Sequence, residues 1–399
     1  MRFRILILAL GTFAIGTDSF VIAGVLPDVA RSLHISLTLA GSLITLFSLV
    51  YAFGAPVLAT MLGHVERRRL LLGALVMFVI ANVLAAISTS YLMLSIARII
   101  AAGSASLYTP SASLVATMMV PQEKRGQALS TVLGGMTIAS VVGVPLGVLI
   151  AALLNWRLTF GLVAILGVVA FVGIFVLFPK VATPPVVSLR TRLALLGKPE
   201  ITVMLINVMV WIGGYAVIST YINPFLQHFA HVSEAGISLL LMANGAGSVL
   251  GNFLGGYGAD HWGPARVVTV GLTAMTMLLF VLPLPIVNST FWSVAMVMVL
   301  WGVFGMMLMP PQQHRLMSAA GGSPIVLSLN SSALFLGFAL GGGIGGLVVQ
   351  SLSLGALSWV SGLIEIVAVV ILGVSVWLVR RRMQRDERVA DKKAAEVTV

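Results

Sequence analysis

The sequence lacks cysteine and carries little charge. Of its 399 residues, 9% are charged and 59% are hydrophobic, with 12 Asp and Glu against 23 Lys and Arg. Without cysteine the chain forms neither a disulfide nor a thiolate metal site. With a mean hydropathy of +1.08, it has more apolar surface than a soluble domain of this length buries. The composition therefore predicts a protein dissolved in a lipid bilayer.

Motifs for nucleotide and metal chemistry are absent too. The sequence has no Walker A motif, which argues against an ATP-driven pump. The net charge of +11 is spread over short loops and the C-terminal tail instead of one soluble face. We therefore expect no cofactor, no metal and no nucleic-acid partner. A membrane-embedded enzyme is the weaker alternative, because the histidines lie in loops or at span ends without ligand spacing around an acid: His34, His64, His228, His231, His261 and His314.

Twelve stretches with no more than one charged residue each are long enough to cross the ~30 Å hydrocarbon core of a bilayer. They lack the period-2 alternation of barrel strands, so the sequence predicts an all-α membrane protein with twelve transmembrane helices. The ninth and tenth stretches are separated only by the breaker-rich PLPIVNST at 283–290. The predicted spans are 5–27, 40–62, 69–88, 91–117, 127–151, 158–178, 201–223, 236–258, 265–287, 291–313, 327–350 and 356–379.

The distribution of Lys and Arg predicts the orientation of these spans. Twenty of the 23 lie in the N-terminus, in the loops after even-numbered spans or in the C-terminal tail. Arg31 and Arg157 lie on the opposite side, and Arg98 lies inside a span. By the positive-inside rule, both termini are expected in the cytoplasm.

A Pro-rich and basic loop at 179–200 divides the spans into six and six. We expect an N-terminal six-helix bundle at 1–178, a cytoplasmic linker at 179–200, a C-terminal six-helix bundle at 201–379 and a basic cytoplasmic tail at 380–399.

Corresponding residues of the two halves stand at a nearly constant offset. Three pairs show it, with offsets of 197, 195 and 194: Pro27 and Pro224, which are expected to end spans 1 and 7, Gly41 and Gly236, and Glu66 and Asp260. Such an offset indicates a parallel internal repeat. The two bundles are therefore expected to be pseudo-symmetric and to meet around a central cavity.

Seven short motifs now give a family resemblance that covers nearly the whole chain. They are GTDSFVIAGVLPDVA, GHVERRRLLL, ARIIAAGSASLYTPSAS, PQEKRGQALS, VVGVPLG, NWRLTF and GGYGADHWGPARVV. In this order they resemble the major facilitator superfamily, specifically its twelve-span drug:H+ antiporter family and the sugar-efflux and chloramphenicol-resistance-like branch. The resemblance implies a monomeric, proton-coupled exporter in the bacterial cytoplasmic (inner) membrane that works by alternating access. A proton-symporting importer of the same fold is the main alternative.

The chain departs from the family pattern in two places. Relatives usually read Thr-x-Glu-Phe in span 1, whereas here Asp18 comes one position earlier and Ser19 takes the usual place of the acid. The first cytoplasmic signature is shortened around Gly63, Glu66 and Arg67. Its second copy is more faithful, with Gly256, Asp260, Gly263 and Arg266. These charged pairs are expected either to act as gates between the bundles or to be solvated loop charges.

Asp18 is a carboxylate inside a membrane helix. An ionised acid at that depth costs ~2.5–3.5 kcal/mol, so it should face a cavity or a partner. Counting from the span ends places Asp18 and Arg98 at the same depth, ~10–14 Å below the outer face, and the resemblance makes spans 1 and 4 neighbours. A motion that changes the water access of Asp18 or its distance to Arg98 would change its affinity for protons. The pair is therefore predicted to couple transport to protons, with a permanent structural pair as the alternative.

Two further features are expected to serve packing more than chemistry. Gly143, Pro145 and Gly147 of GVPLG remove side-chain bulk and one hydrogen bond, which lets span 5 kink and another helix approach closely. The resemblance assigns this motif to antiporters, where it helps to seal the cavity. For Glu365 in span 12, which the resemblance places on the periphery, we expect a packing role or an interfacial position.

The resemblance places spans 1, 2, 4, 5, 7, 8, 10 and 11 around the cavity. Aromatic, Met and neutral hydrogen-bonding groups there suit an uncharged or amphipathic small molecule, such as a phenicol or a sugar. The predicted cavity residues are Ser19, Tyr51, Tyr108, Ser111, Tyr215, Tyr221, Asn223, Asn244 and Asn330.

Overall fold

The computed structural model describes residues 2–181, 188–230, 232–284, 290–323 and 325–397, and their regular structure is helical. Twelve helices are long and apolar enough to cross a membrane, as the sequence predicts. His231, positions 182–187 of the linker, most of the breaker segment and the last two residues lie outside the described residues. The helices are α1 (Phe3–Gly24), α2 (Leu37–Met61), α3 (Arg67–Ala86), α4 (Tyr91–Met118), α5 (Arg125–Leu153), α6 (Trp156–Leu177), α7 (Pro199–Ser219), α8 (Ala235–Trp262), α9 (Pro264–Val281), α10 (Phe291–Ala319), α11 (Ile325–Ser351) and α12 (Ala356–Arg381).

Short polar side chains start the even-numbered helices from α2 to α10. Each accepts a hydrogen bond from an N–H of the first turn, which would otherwise lack a partner: Ser36, Ser90, Asn155, Ser233 and Thr290. All five stand in loops on the side of the bundle away from the chain termini, called the far side below. The side that carries the termini is called the near side.

The prediction that Pro27 and Pro224 end spans 1 and 7 is wrong. Helix α1 already ends at Gly24, and Pro27 stands in the first turn of a short helix, Leu26–Leu33. Pro224 likewise stands near the start of the helix Ile222–Ala230. Proline is tolerated in a first turn because the N–H that it lacks would have no partner inside the helix there.

The two halves repeat the same packing. In the first half α1 packs against α5 and α6, α2 against α4, and α3 against α4 and α6; α7 to α12 pack in the corresponding pairs. Helix α7 begins 196 residues after α1, and α12 begins 200 residues after α6. The offset found in the sequence therefore corresponds to a repeated six-helix unit.

The GVPLG motif lies where α5 meets α1. A Cβ built at Gly143 would overlap the Thr17 hydroxyl, and one built at Gly147 would overlap Val21, so both glycines are needed for the close approach. Residues Ala139–Gly143, which end two positions before Pro145, form one turn of π-helix. Proline has no N–H to donate to the preceding turn, and a π-helical turn widens the helix at that point. The motif thus interrupts the regular α-helix and brings α1 against it.

A substitution pair within α5 tests this contact. Gly143→Ala should lower the melting temperature of the detergent-solubilised protein, because overpacking a tight contact costs about 1–3 kcal/mol. Gly134→Ala is the matched control in the same helix, since a Cβ there meets no atom within 4 Å. Unfolding is followed by circular dichroism. Equal melting temperatures for the two variants would contradict a close packing of α1 on Gly143.

Candidate functional site

A central cavity of about 120 Å³ lies between the two halves of the chain. Seven helices line it: α1, α2, α5, α7, α8, α10 and α11. These are the helices that the resemblance implies, except for α4. Ligand pockets usually measure ~300–1,000 Å³, so this cavity must widen before it holds a drug-sized molecule.

The cavity wall is aromatic and hydroxylic. Its aromatic residues are Phe20, Phe47, Tyr215, Trp301, Phe335 and Phe338, and its hydrogen-bonding residues are Ser19, Ser48, Ser140, Ser219, Thr220, Asn244 and Ser248. No charged side chain is among the lining residues that the structure describes. The ring of Tyr215 stacks on that of Trp301 at 4.9 Å between centroids. The wall therefore suits a neutral molecule with a flat or apolar part.

Three of the six Ser and Thr hydroxyls of the cavity wall already donate their hydrogen atom within their own helix. Ser19 donates to the Ile15 carbonyl at 2.7 Å, Ser140 to the Thr137 carbonyl at 2.7 Å, and Ser248 to the Asn244 carbonyl at 2.9 Å. A hydroxyl that donates in this way keeps its lone pairs, so it offers an acceptor to a ligand. The wall therefore favours a substrate that carries hydroxyl or amide N–H donors.

Three of the predicted cavity residues, Ser19, Tyr215 and Asn244, line the cavity. Sequence reasoning missed Phe47, Trp301 and the remaining aromatic residues of the wall. An aromatic residue in a membrane helix faces lipid, core or cavity depending on the packing of its helix. The aromatic positions alone therefore gave no signal of which face points inward.

The other six predicted residues do not line this cavity. Packing inside the protein explains why four of them do not: Tyr108, Tyr51, Ser111 and Asn330. Tyr108 is fully buried between α4 and α1, where its hydroxyl donates to the Leu8 carbonyl at 3.2 Å. Tyr51 stacks on Phe335 at 3.6 Å between ring centroids, and the Phe335 ring separates it from the open space. Ser111 and Asn330 are buried within their bundles.

The last two, Tyr221 and Asn223, close the far side of the cavity. The Tyr221 hydroxyl lies against α2 at Gly41, where a Cβ would overlap it. The Asn223 amide donates to the Gly24 carbonyl at the end of α1. These residues therefore form part of a seal between the halves.

Hydrogen bonds from one half to the other concentrate in this seal. Besides the Asn223 contact, Ser238 donates to the Pro145 carbonyl at 2.8 Å, and Thr38 donates to the Gly346 carbonyl at 3.3 Å. Within the described part of the chain, these are the side-chain hydrogen bonds that join the two bundles, and all three lie on the far side. The structure is therefore closed on the far side.

Asp18 and Arg98 form a buried ion pair. Arg98 Nη1 lies 3.0 Å from Asp18 Oδ2 and also donates to the Asp18 carbonyl at 3.2 Å. Each residue is 1% exposed. The contact between α1 and α4 that the common depth of the two residues and the resemblance together predict is therefore present. A buried pair with this geometry becomes costly when either partner is removed or neutralised alone.

The ion pair lies directly behind the cavity wall. Ser19, the neighbour of Asp18, lines the cavity, and the Arg98 guanidinium lies 4.3 Å from the centroid of the Phe47 ring, which also lines it. The shift of the acid by one position turns its side chain by about 100° around the helix. Consequently the carboxylate faces α4 and the small Ser19 hydroxyl faces the substrate space.

The near-side signatures make local contacts in this structure. The Glu66 carboxylate caps α3 by accepting from the N–H groups of Arg68 and Arg69, and it also accepts from the Val181 N–H at 2.7 Å. Arg67 donates to the Gly63 carbonyl at 3.1 Å. These bonds tie the loop before α3 to the start of the linker and stay within the first half.

The second copy of the signature is open to solvent. Asp260 and Arg266 are exposed, and a Cβ at Gly256 would meet no atom within 4 Å. Neither charged residue of this copy has an ion pair within the described residues. A gate that crosses the two bundles at these signatures would therefore need another conformation than this one.

Glu365 of α12 is fully buried instead of interfacial. A Cβ built on Gly214 of α7 would lie 2.9 Å from Glu365 Oε1, so the carboxyl rests on the backbone of α7. The sequence suggests either a packing role or an interfacial position for Glu365. The structure shows it packed inside the second bundle.

The sequence and the fold both have known relatives. The pattern that describes the Major Facilitator Superfamily matches residues 8–324 and 203–398. The chain is 36% identical to the uncharacterized MFS-type transporter YbcL of Bacillus subtilis, over 92% of this chain and 94% of that protein. It is 33% identical to the inner membrane transport protein YdhP of Escherichia coli K12, over 88% and 90%. The crystal structure of a D-xylose-proton symporter superposes with a TM-score of 0.72 at 18% identity, over 92% of this chain and 96% of that one. That likeness concerns the fold alone.

The bond between Glu66 and Val181 yields a prediction about the linker. Glu66→Ala should speed deuterium exchange of the Val181 amide, because that N–H loses its acceptor. Asp260→Ala, at the exposed second copy, should leave it unchanged. Burial raises the pKa of Glu66, but hydrogen bonds from the Val181, Arg68 and Arg69 amides outweigh burial and hold the pKa below its usual value.

The pH dependence of this effect follows from the lowered pKa. The contribution of the ionised carboxylate is fully present above the usual Glu value of about 4.3 and is lost as the pH falls through the lowered pKa. The difference between wild type and Glu66→Ala should therefore be full at neutral pH and shrink in acid, as measured by exchange mass spectrometry. Equal exchange of both proteins at neutral pH would show that the bond does not hold the linker.

Proposed function

Since the chain belongs to the Major Facilitator Superfamily of membrane transporters, we propose that it is a proton-coupled exporter of small uncharged or amphipathic molecules. It is a multi-pass protein of the inner membrane and moves a small-molecule substrate across the bilayer. The family is one of transporters and not a class of enzymes. The finer proposal rests on one observation above all, the Asp18–Arg98 pair buried one side-chain layer behind the cavity.

Proton coupling needs a titratable group whose surroundings change during transport. Asp18 lies on α1 next to a cavity residue, and its partner Arg98 lies on α4 behind Phe47. When the cavity widens, α1 and α4 shift relative to Phe47, water reaches the carboxylate, and a proton can bind it. Release of that proton restores the ion pair. In this way the cycle links one protonation step to the change of conformation.

The cavity wall favours neutral substrates. It offers hydroxyl acceptors and aromatic faces, and no carboxylate among its described residues would hold a strongly cationic drug. A phenicol carries hydroxyl and amide N–H donors and an aromatic ring, and a sugar carries hydroxyl donors. These are the substrate classes that we favour, in line with the drug:H+ antiporter and sugar-efflux branch.

Export requires that the near side is cytoplasmic, as the distribution of Lys and Arg predicts. In that orientation the structure is closed towards the periplasm, with the seal around Tyr221 and Asn223 on the outside. A substrate would then enter from the cytoplasm as the near-side halves move apart. Proton symport into the cell would use the same two states, but with substrate and proton bound together and carried in the same direction.

Proteoliposomes with an imposed pH gradient test the proposal. Chloramphenicol, D-xylose and ethidium serve as probes, and an internal pH indicator reports proton movement upon addition of each. We expect a neutral probe to move against its gradient as protons move the other way, and a protonophore to abolish this. Asp18→Asn keeps the size and polarity of the side chain but cannot titrate, so it should still equilibrate the probe while losing accumulation against a gradient.

Two controls separate coupling from folding. Ser19→Ala removes a hydroxyl of the cavity wall without touching the ion pair, so the affinity for a probe should change while gradient-driven accumulation persists. Arg98→Gln removes the positive charge that favours the ionised carboxylate, so the pH optimum of transport should move to higher pH. If Asp18→Asn accumulates a probe as well as wild type does, Asp18 is a structural residue. Movement of probe and protons in the same direction would instead establish a symporter.

The orientation has its own test. Fusions of green fluorescent protein after residues 190 and 399 should fluoresce, and alkaline phosphatase at the same sites should be inactive, because both sites are expected in the cytoplasm. A phosphatase fusion after residue 155, in the loop between α5 and α6, should be active. Active phosphatase after residue 190 or 399 would reverse the proposed direction of the spans.

A further inference from the structure

Glu365 is a buried acid with no role in the mechanism proposed for Asp18. It is 0% exposed, and neither of its carboxyl oxygens has a hydrogen-bond partner within the described residues. An ionised carboxylate in such a place would lose its hydration without compensation, which costs several kcal/mol. A protonated carboxyl is neutral and costs far less. The site as it stands therefore suits the protonated form.

The surroundings of Glu365 hold no neutralising cation. Helix α12 packs against α7, α9 and α11. Besides Glu365, these helices and α12 contain five titratable or charged residues. Tyr215 is next to the contact residue Gly214. The other four lie towards the near-side ends of the helices: Glu200, Arg266, Arg380 and Arg381. The buried guanidinium of Arg315 reaches α12 at Ser375, with a distance of 2.7 Å between Nη2 and Oγ. Ten residues of helix, about 15 Å, separate that point from Glu365.

A hydrogen-bond donor without a partner lies at the level of Glu365. The bond of Asn207 to the Ala368 carbonyl and that of Ser361 to the Gly214 carbonyl fix the antiparallel register of α7 and α12. In this register Glu365 stands opposite the turn that holds Trp211. The indole N–H of Trp211 is buried and has no acceptor within the described residues. The interface of α7 and α12 therefore holds both a carboxyl and a donor that lack partners within the described residues.

The backbone of α7 lies between Glu365 and the central cavity. The carboxyl rests on Gly214, and the next residue, Tyr215, lines the cavity. The Cα cylinder of a helix is about 5 Å across, and no side chain of residue 214 widens it here. Tilting of α7 by one side chain's width would open a route for water between the cavity and Glu365.

We propose that Glu365 is a second proton-binding site, in the second half of the chain, which exchanges its proton with the central cavity past Gly214. It binds the proton in the conformation that is closed on the far side and releases it when α7 tilts and water reaches the carboxyl from the cavity. The proposal rests on the proposed transport cycle for the movement of α7, but the presence of the proton is independent of which substrate is carried and of the role of Asp18.

Infrared spectroscopy of the full chain in lipid vesicles tests for this proton without a substrate. The difference between wild type and Glu365→Gln should show the carbonyl band of a protonated carboxyl. The band should lose intensity as the pH rises and shift in D2O because the proton exchanges. The same band should remain in Asp18→Asn, which separates this site from the first one. The measurement spans the pH range over which circular dichroism shows wild-type helix content.

An isotope label covers the case in which Glu365→Gln fails to fold. Glutamate labelled with ¹³C at the side-chain carboxyl shifts the band without any substitution and leaves Asp18 unaffected. Glu365→Asp keeps a carboxyl, so it should move the band instead of removing it. A spectrum without a protonated glutamate band, or a band that neither pH nor D2O changes, would overturn the proposal. If the band behaves as expected while transport proves to be uncoupled from protons, the site stands and the function proposed for Asp18 falls.

Discussion

Polar groups inside a bilayer must find their partners within the protein, and this constraint organises the whole chain. Ser, Thr and Asn side chains in the spans donate to carbonyl groups of their own or a neighbouring helix, as Ser19 and Ser238 do. A buried charge needs an opposite charge, which Arg98 supplies to Asp18. Several buried side-chain groups among the described residues lack such a partner. Glu365 and the indole N–H of Trp211 are two of them, and they share one interface.

Close helix approach follows a different rule, because no hydrophobic force draws helices together in lipid. Missing side chains allow the approach instead. Gly143 admits Thr17 within the first half, and Gly41 admits Tyr221 between the halves. The first contact lies within one bundle and the second joins the two bundles, so the two contacts have different roles. Contacts of the first kind hold a bundle rigid, and contacts of the second kind form a seal that can open without unfolding either bundle.

The sequence predicts those features that depend on a single helix or on a constant offset. Span number and the common depth of Asp18 and Arg98 need only length, hydropathy and helical rise, whereas the repeat needs a constant offset and the contact of spans 1 and 4 needs the family resemblance. The structure contains all of these features. The cavity wall depends on the rotation of each helix about its axis, which packing decides. Nothing in the sequence distinguishes Tyr108 from Tyr215. In the structure the Tyr108 hydroxyl packs against Gly11, whereas Tyr215 lines the cavity. The sequence does not show that Pro27 begins a short helix instead of ending α1, because the two helices are separated by only one residue.

The position of Asp18 behind the wall separates charge from substrate recognition. An acid in the cavity would attract cations and pay for its own desolvation each time a neutral substrate displaced its water. Behind Phe47 the carboxylate keeps Arg98 as its partner in the closed state, and the substrate meets only neutral groups. Selectivity can then change through Ser19, Asn244 or Trp301 without altering the ion pair. A transporter built in this way can vary its substrates while the ion pair stays the same.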